Sequence, residues 1–128
     1  MDKPTLEEQV ALVQWLELQG LKFTAVPNST YTKSWKQKAH NKATGVRAGF
    51  PDIIVLISPD QSVDGRGFLL ALELKRIKGG TVSAEQKLWI KALNDLDTPH
   101  VASYIAKGAE QAIDIVGKHL KSKKGIAF

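Results

Sequence analysis

Hydrophobic positions along this chain recur with two different periods, and the switches between them mark out its elements. In "PTLEEQVALVQWLELQG" (residues 4–20), Leu6, Val10, Val13 and Leu16 fall on one stripe at helical spacing. Pro4 and Thr5 suit the start of that helix and Gly20 its end. "LKFTAV" (21–26) alternates and reads as a strand, closed by Pro27 and Asn28. "DIIVLI" (52–57) is a short β-branched run, the pattern of a buried strand. "FLLALELK" (68–75) is the next strand. The turn chemistry of "SPDQSVDGRG" between them is short enough to join the two as an antiparallel pair.

A second helix pattern begins at Ser83, with Gln86 at the capping-box position and Leu88, Ala92, Leu93 and Leu96 as its apolar face. "HVASYI" (100–105) predicts a further strand. "GAEQAIDIVGKHLKSKK" (108–124) predicts a last helix with Ala112, Ile113 and Val116 inward. The polar, basic stretch before Asp52 predicts a loop with one short helix, capped by Ser34 and ending near Gly45. The order is α-β-(α)-β-β-α-β-α. A helix between the third and fourth strands makes a crossover, so the last strand lies parallel to its neighbour. The expectation is one α/β domain over residues 1–128, a mixed sheet flanked by helices, with 121–128 as a flexible basic tail.

Composition narrows the class. The 128-residue chain contains no cysteine, which excludes disulfides, thiolate catalysis and cysteine zinc sites. No apolar run reaches membrane-spanning length, and the N-terminus does not resemble a signal peptide, so a soluble, cytoplasmic protein is expected. A net charge of +5 and a pI near 9.5 suit a partner rich in phosphate.

Strand alternation then brings specific residues together. In "FLLALELK", Leu69, Ala71, Glu73 and Lys75 share one face, so Glu73 and Lys75 point the same way, roughly 6.5–7 Å apart along the strand. Asp52 opens the preceding strand, and the start of one hairpin strand lies beside the end of its partner. Each feature alone is more often structural than catalytic, a solvated pair or a turn residue. Together they place two carboxylates side by side, and such a pair repels unless a positive charge lies between them. Oxygen ligands without histidine or cysteine select Mg²⁺, with Mn²⁺ as a substitute. The ligands would be Asp52, Glu73 and the backbone carbonyl of Leu74. Lys75 then has the task of steadying the attacking water or the charge on a phosphate.

Pro51-Asp52 followed by Glu73-Leu74-Lys75 matches the PD-(D/E)xK nuclease signature. "GVRAGFPDIIVL" and "LELKRIKGGTVSAEQKLWIKAL", with Arg47, Gly49, Ser83, Gln86 and Trp89 in order, resemble more narrowly the VRR-NUC family within that superfamily. The resemblance implies a restriction-endonuclease-like αβββαβ core and a metal-dependent phosphodiesterase of the stand-alone type found in bacteria and phages. It implies that Asp52 and Glu73 are metal ligands and Lys75 the catalytic lysine. It also implies that Gln86 points into the site, and that an acid on the first helix completes it. Glu7 and Glu8 are the candidates for that acid, with Glu8 favoured. Members often carry the acid four residues before a glutamine, and here that position before Gln9 is Thr5.

Arg47, Arg76 and Lys78 lie near these residues in sequence, and Lys36 and Lys38 lie in the basic stretch before them; all five are candidate phosphate contacts. Tyr31 and Trp35 are candidates for stacking on an unpaired base or for packing; Trp15 and Trp89 read as buried. The histidines show no metal-ligand spacing. The expected activity is Mg²⁺-dependent endonucleolytic cleavage of DNA, with branched or Holliday-junction DNA and a homodimer as the preferred refinement. The alternatives are a restriction- or repair-type nicking, flap or single-strand nuclease, a DNA-binding module without catalysis, and RNA as substrate.

Overall fold

The computed structural model describes residues 3–27 and 33–121. The elements follow the expected order: α1 (Leu6–Leu18), β1 (Lys22–Ala25), α2 (Trp35–Ala43), β2 (Ile53–Ile57), β3 (Phe68–Lys75), α3 (Ala84–Asn94), β4 (Val101–Lys107) and α4 (Gly108–Gly117). The four strands form one sheet in the order β1-β2-β3-β4. The first two pairings are antiparallel, and β3 with β4 is parallel, as the crossover through α3 requires. Among the described residues no helix is long and apolar enough to cross a membrane.

Alternation along β2 and β3 divides the sheet into two faces. Ile53, Val55, Ile57, Leu70, Leu72 and Leu74 point into a core shared with Leu12 and Leu16 of α1 and with Ala112, Ile115 and Val116 of α4. On the other face of β3 lie Ala71, Glu73 and Lys75, all buried. That face is served by α3, whose Gln86 reaches Glu73 and Lys75. Near its other end, the Asn94 amide pairs with both the N–H and the C=O of Ser103, so the backbone of the outer strand β4 is satisfied there.

Helix faces depart from the expectation. Leu6 and Val10 are exposed, and the buried pair of α1 is Leu12 and Leu16. Apolar residues occur all round this helix, so several stripes compete and the one that meets α4 wins. Leu88 and Leu96 are exposed too, and α3 has no fully buried residue, because it meets the sheet mainly along β4. In α4, Ile115 is buried and Ile113 only half-buried, a shift of the expected stripe around the helix. Trp15 and Trp89 are half-buried. Ser34 does cap α2, and Ser83 with Gln86 does close a capping box on α3. Tyr31 and the tail beyond Lys121 lie outside the described residues; the Lys121 N–H itself donates to the Gln61 carbonyl at 2.9 Å.

Candidate active site

Asp52 sits just before β2, held by backbone bonds to chain segments on both sides. Its N–H donates to the Leu72 carbonyl at 2.9 Å, and its carbonyl accepts from Val26 N–H at 2.7 Å. Ile53 is already the register partner of Leu72, so two successive residues of this strand face one on β3, the arrangement of a bulge. That step turns the Asp52 side chain towards the end of β3, where its Oδ2 accepts from Leu74 N–H at 2.8 Å. In a strand, the N–H and C=O of one residue share an edge, so the Leu74 carbonyl faces the Asp52 side as well.

Glu73 and Lys75 lie on the opposite face from Leu74, with relative exposures of 0% and 1%. Lys75 Nζ is 3.4 Å from Glu73 Oε2. Gln86 joins them. Its Nε2 donates to Glu73 Oε2 at 2.8 Å, and its Oε1 accepts from Lys75 Nζ at 3.0 Å. The same Oε1 accepts from Ser83 N–H at 2.8 Å, so the residue that closes the helix cap also sets the positions of the buried carboxylate and ammonium.

Two glycines permit this closeness. Gly49 has φ +93°, and a Cβ there would stand 2.7 Å from the backbone of Glu85. The loop leading into Asp52 therefore lies directly against the first turn of α3, and one turn further on Phe50 meets Trp89 edge to face at 5.0 Å and Trp89 Nε1 donates to the Ala48 carbonyl. A Cβ on Gly80 would stand 2.8 Å from that of Lys75.

The second oxygen of Glu73, Oε1, is buried without a hydrogen-bond partner among the described residues. Burial first, and then the charge of Asp52, push the Glu73 carboxyl up to about 7, with the Lys3 and Lys75 ammonium groups pulling the other way. Lys3 stands between the two acids, with Nζ 2.5 Å from Asp52 Oδ1 and 3.6 Å from Glu73 Oε2. Partial burial works against its charge, but the hydrogen bond and charge of Asp52, followed by Glu73, raise its pKa above the ordinary lysine value. An ammonium thus occupies the position where a pair of carboxylates calls for a cation.

Four of the residues expected to meet do so: Glu73, Lys75 and Gln86 bond directly to one another, and Asp52 joins them through Leu74 N–H and Lys3. Glu8 lines a small pocket with Leu74 and Lys75 and also serves a helix cap. Its Oε1 accepts from Thr5 N–H at 2.7 Å, completing the capping box of α1. Among the described residues no third acidic or histidine side chain joins the pair in a metal-binding cluster. Arg47 donates to the Lys42 and Val46 carbonyls, at and just past the end of α2, and lines a groove with Glu85, Leu88 and Trp89 of α3. Arg76 lies beside the site, its Nε 3.4 Å from the Lys3 carbonyl. Lys78, Lys36 and Lys38 are exposed. Sequence reasoning missed Lys3 and Gln9, which line a cleft of about 230 Å³ with Pro4, Asp52 and Leu74. The available signal was position: both lie within a turn or so of the Thr5 cap that fixes the entry to α1.

The VRR-NUC domain model matches residues 3–109, which span every element that carries the site. A solved structure described as a VRR_NUC domain protein has the same fold, with a TM-score of 0.66 and 20% identity, covering 93% of this chain and 89% of that one. No curated protein sequence matches the chain. On its fold and on the family match across most of its length, the chain belongs to the VRR-NUC family and is a nuclease-type domain.

Proposed function

We propose that this domain is a divalent-metal-dependent endonuclease that hydrolyses DNA phosphodiester bonds. The observation that carries the reading is the Glu73 carboxylate, buried beside Asp52 with one oxygen unpartnered among the described residues and a lysine ammonium drawn in between the two acids. An orphaned buried carboxylate oxygen is costly unless a ligand completes it. Asp52, Glu73 and the Leu74 carbonyl form an all-oxygen donor set suited to Mg²⁺, with Mn²⁺ as a substitute. When bound, such a cation polarises the phosphate and offsets negative charge as the bond breaks.

The chain's own groups account for the rest. Gln86 holds the Lys75 ammonium in a fixed direction beside Glu73, where it can stabilise charge on the attacked phosphate without reorganising. Asp52, anchored to Leu74 N–H, keeps its carboxylate at the mouth of the cleft. Arg76, Lys78 and the lysines of α2 supply phosphate contacts that position the substrate without reading sequence. Glu8, at the far end of the same entry turn, supports the site by fixing the start of α1.

Branched DNA is the preferred substrate class. One domain of this size offers little surface for two duplex arms, and a homodimer would present two sites to a two-fold junction. The test is a panel of four-way junction, flap, nicked, linear duplex and single-stranded DNA, incubated with Mg²⁺ or Mn²⁺ and with EDTA as control. Preferential cutting of the junction supports the refinement; cleavage of only flap or single-stranded substrates replaces it with the repair-type alternative.

A further inference from the structure

Among the described residues, helix α2 has no packing reason to be where it is. Of its nine residues none is buried, and it makes no extensive contact with any other element. Local bonds hold it. Ser34 accepts from Gln37 N–H, Gln37 donates to Asn41, Thr44 donates to the His40 carbonyl, and Arg47 donates to that of Lys42. Helices shorter than about 12–15 residues are marginal in water without a packed face.

Charge and exposure add to the cost. Residues 33–47 contain Lys33, Lys36, Lys38, Lys42 and Arg47 and no acid. Lys38 and Lys42 are four apart on the helix, so like charges face each other. Trp35 is 84% exposed; Lys38 Nζ, 5.7 Å from its ring centroid, makes a weakly favourable cation–π contact but leaves the indole open to solvent. An indole left open to water on a helix whose lysines repel one another is unfavourable in the isolated protein. It becomes favourable against a ligand that has both a flat apolar face and a row of negative charges.

Nucleic acid with unpaired bases has both. A duplex presents phosphates but hides its base faces, whereas an unpaired base can stack on an exposed indole. Resting on the nuclease reading for the class of substrate, we propose that α2 is the arm that engages an unpaired segment of the nucleic acid. Trp35 stacks on a base, and Lys36, Lys38 and Lys42 contact the flanking phosphates. The enzyme would thereby favour branch points at which bases are left unpaired.

The experiment measures binding of the full chain in EDTA to fluorescein-labelled oligo(dT), to a blunt duplex, and to a duplex with a single-stranded gap. Trp35→Ala is expected to weaken oligo(dT) and gapped binding by roughly tenfold, the effect of one lost base stack. Duplex binding should stay within about twofold, since phosphate contacts carry it. Trp35→Phe should restore part of the loss. Oligo(dT) should quench tryptophan emission in the wild type more than in Trp35→Phe. Matching thermal melts would show that the variants fold. Unchanged oligo(dT) binding by Trp35→Ala, or an equal loss on duplex and single strand, overturns the proposal. Equal displacement of oligo(dT) by poly-glutamate at matched charge overturns it too, since only charge would then be recognised. These readings need no cleavage, so failure of the nuclease assignment is seen separately, as absence of cutting with any metal.

Discussion

Asp52 Oδ2 accepts a 2.8 Å hydrogen bond from the backbone N–H of Leu74, the residue between Glu73 and Lys75. The first acid of the site is thus tied to the strand that carries the other two groups. Asp52→Asn retains an oxygen to accept this bond but lacks the charge. It should fold with stability within about 1 kcal/mol of wild type and lose at least roughly a hundredfold in cleavage rate, since removing one charged ligand weakens stabilisation of the reacting phosphate by several kcal/mol. Asp52→Ala loses the bond as well and should melt lower. Thermal melts and single-turnover cleavage of the two variants together separate charge from anchoring.

Gln86 bonds to Glu73, Lys75 and Ser83 at once. Gln86→Ala should lower stability by about 1 kcal/mol through loss of the cap and reduce turnover by roughly 10–100-fold through release of Lys75. The rate loss should exceed what the melt predicts. Ser83→Gly, which removes the hydroxyl of the same cap but leaves Gln86 in place, should lose stability with turnover close to wild type. Equal rate losses in both variants would show that Gln86 acts only through the helix.

Lys3 holds a competitor's position. Its ammonium bridges Asp52 and Glu73, where a divalent ion would bind. Lys3→Met keeps the apolar stem and removes the charge. Its Mn²⁺ affinity by calorimetry should rise by up to about tenfold, since binding no longer has to displace a resident cation. Weaker Mn²⁺ binding by Lys3→Met would show instead that the lysine helps to form the site.

Stability should depend on pH through Glu73. Its pKa in the fold, about 7, lies above the ordinary value of 4.5, so the folded state binds this proton more tightly than the unfolded chain. The resulting stabilisation is complete below the ordinary value and is lost as pH rises through about 7. In EDTA, melting temperatures of wild type relative to Glu73→Gln should therefore fall across this window, and Mn²⁺ should recover most at its alkaline end. Parallel curves for the two proteins would count against a raised Glu73.

Much of this arrangement is legible in the sequence because strands impose a two-residue period. Alternation alone puts Glu73 and Lys75 on one face, and the antiparallel connection brings Asp52 beside them. Gln86 is visible as a capping residue and, through the VRR-NUC resemblance, as a site residue; the structure combines the two roles in one amide. Lys3 is legible only as a residue close to the Thr5 cap. Its role depends on where the chain enters α1 in space, and no local pattern encodes that. Periodicity misplaces the buried faces of α1 and α3 for a related reason. It ranks stripes, but contact with α4 and β4 chooses among them, and Leu6, Val10, Leu88 and Leu96 are left outside. Glu8 is legible both as a capping acid and as a site candidate: its Oε1 accepts from Thr5 N–H, and its side chain lines a small pocket with Leu74 and Lys75.

The most direct test of the central claim compares wild type with Glu73→Gln on the same DNA panel, with Mg²⁺, Mn²⁺ or EDTA. Wild type should cleave only when a divalent ion is present, and the variant not at all, although both melt cooperatively and bind DNA alike. Cleavage that persists in EDTA, or that survives in Glu73→Gln at the wild-type rate, would contradict it.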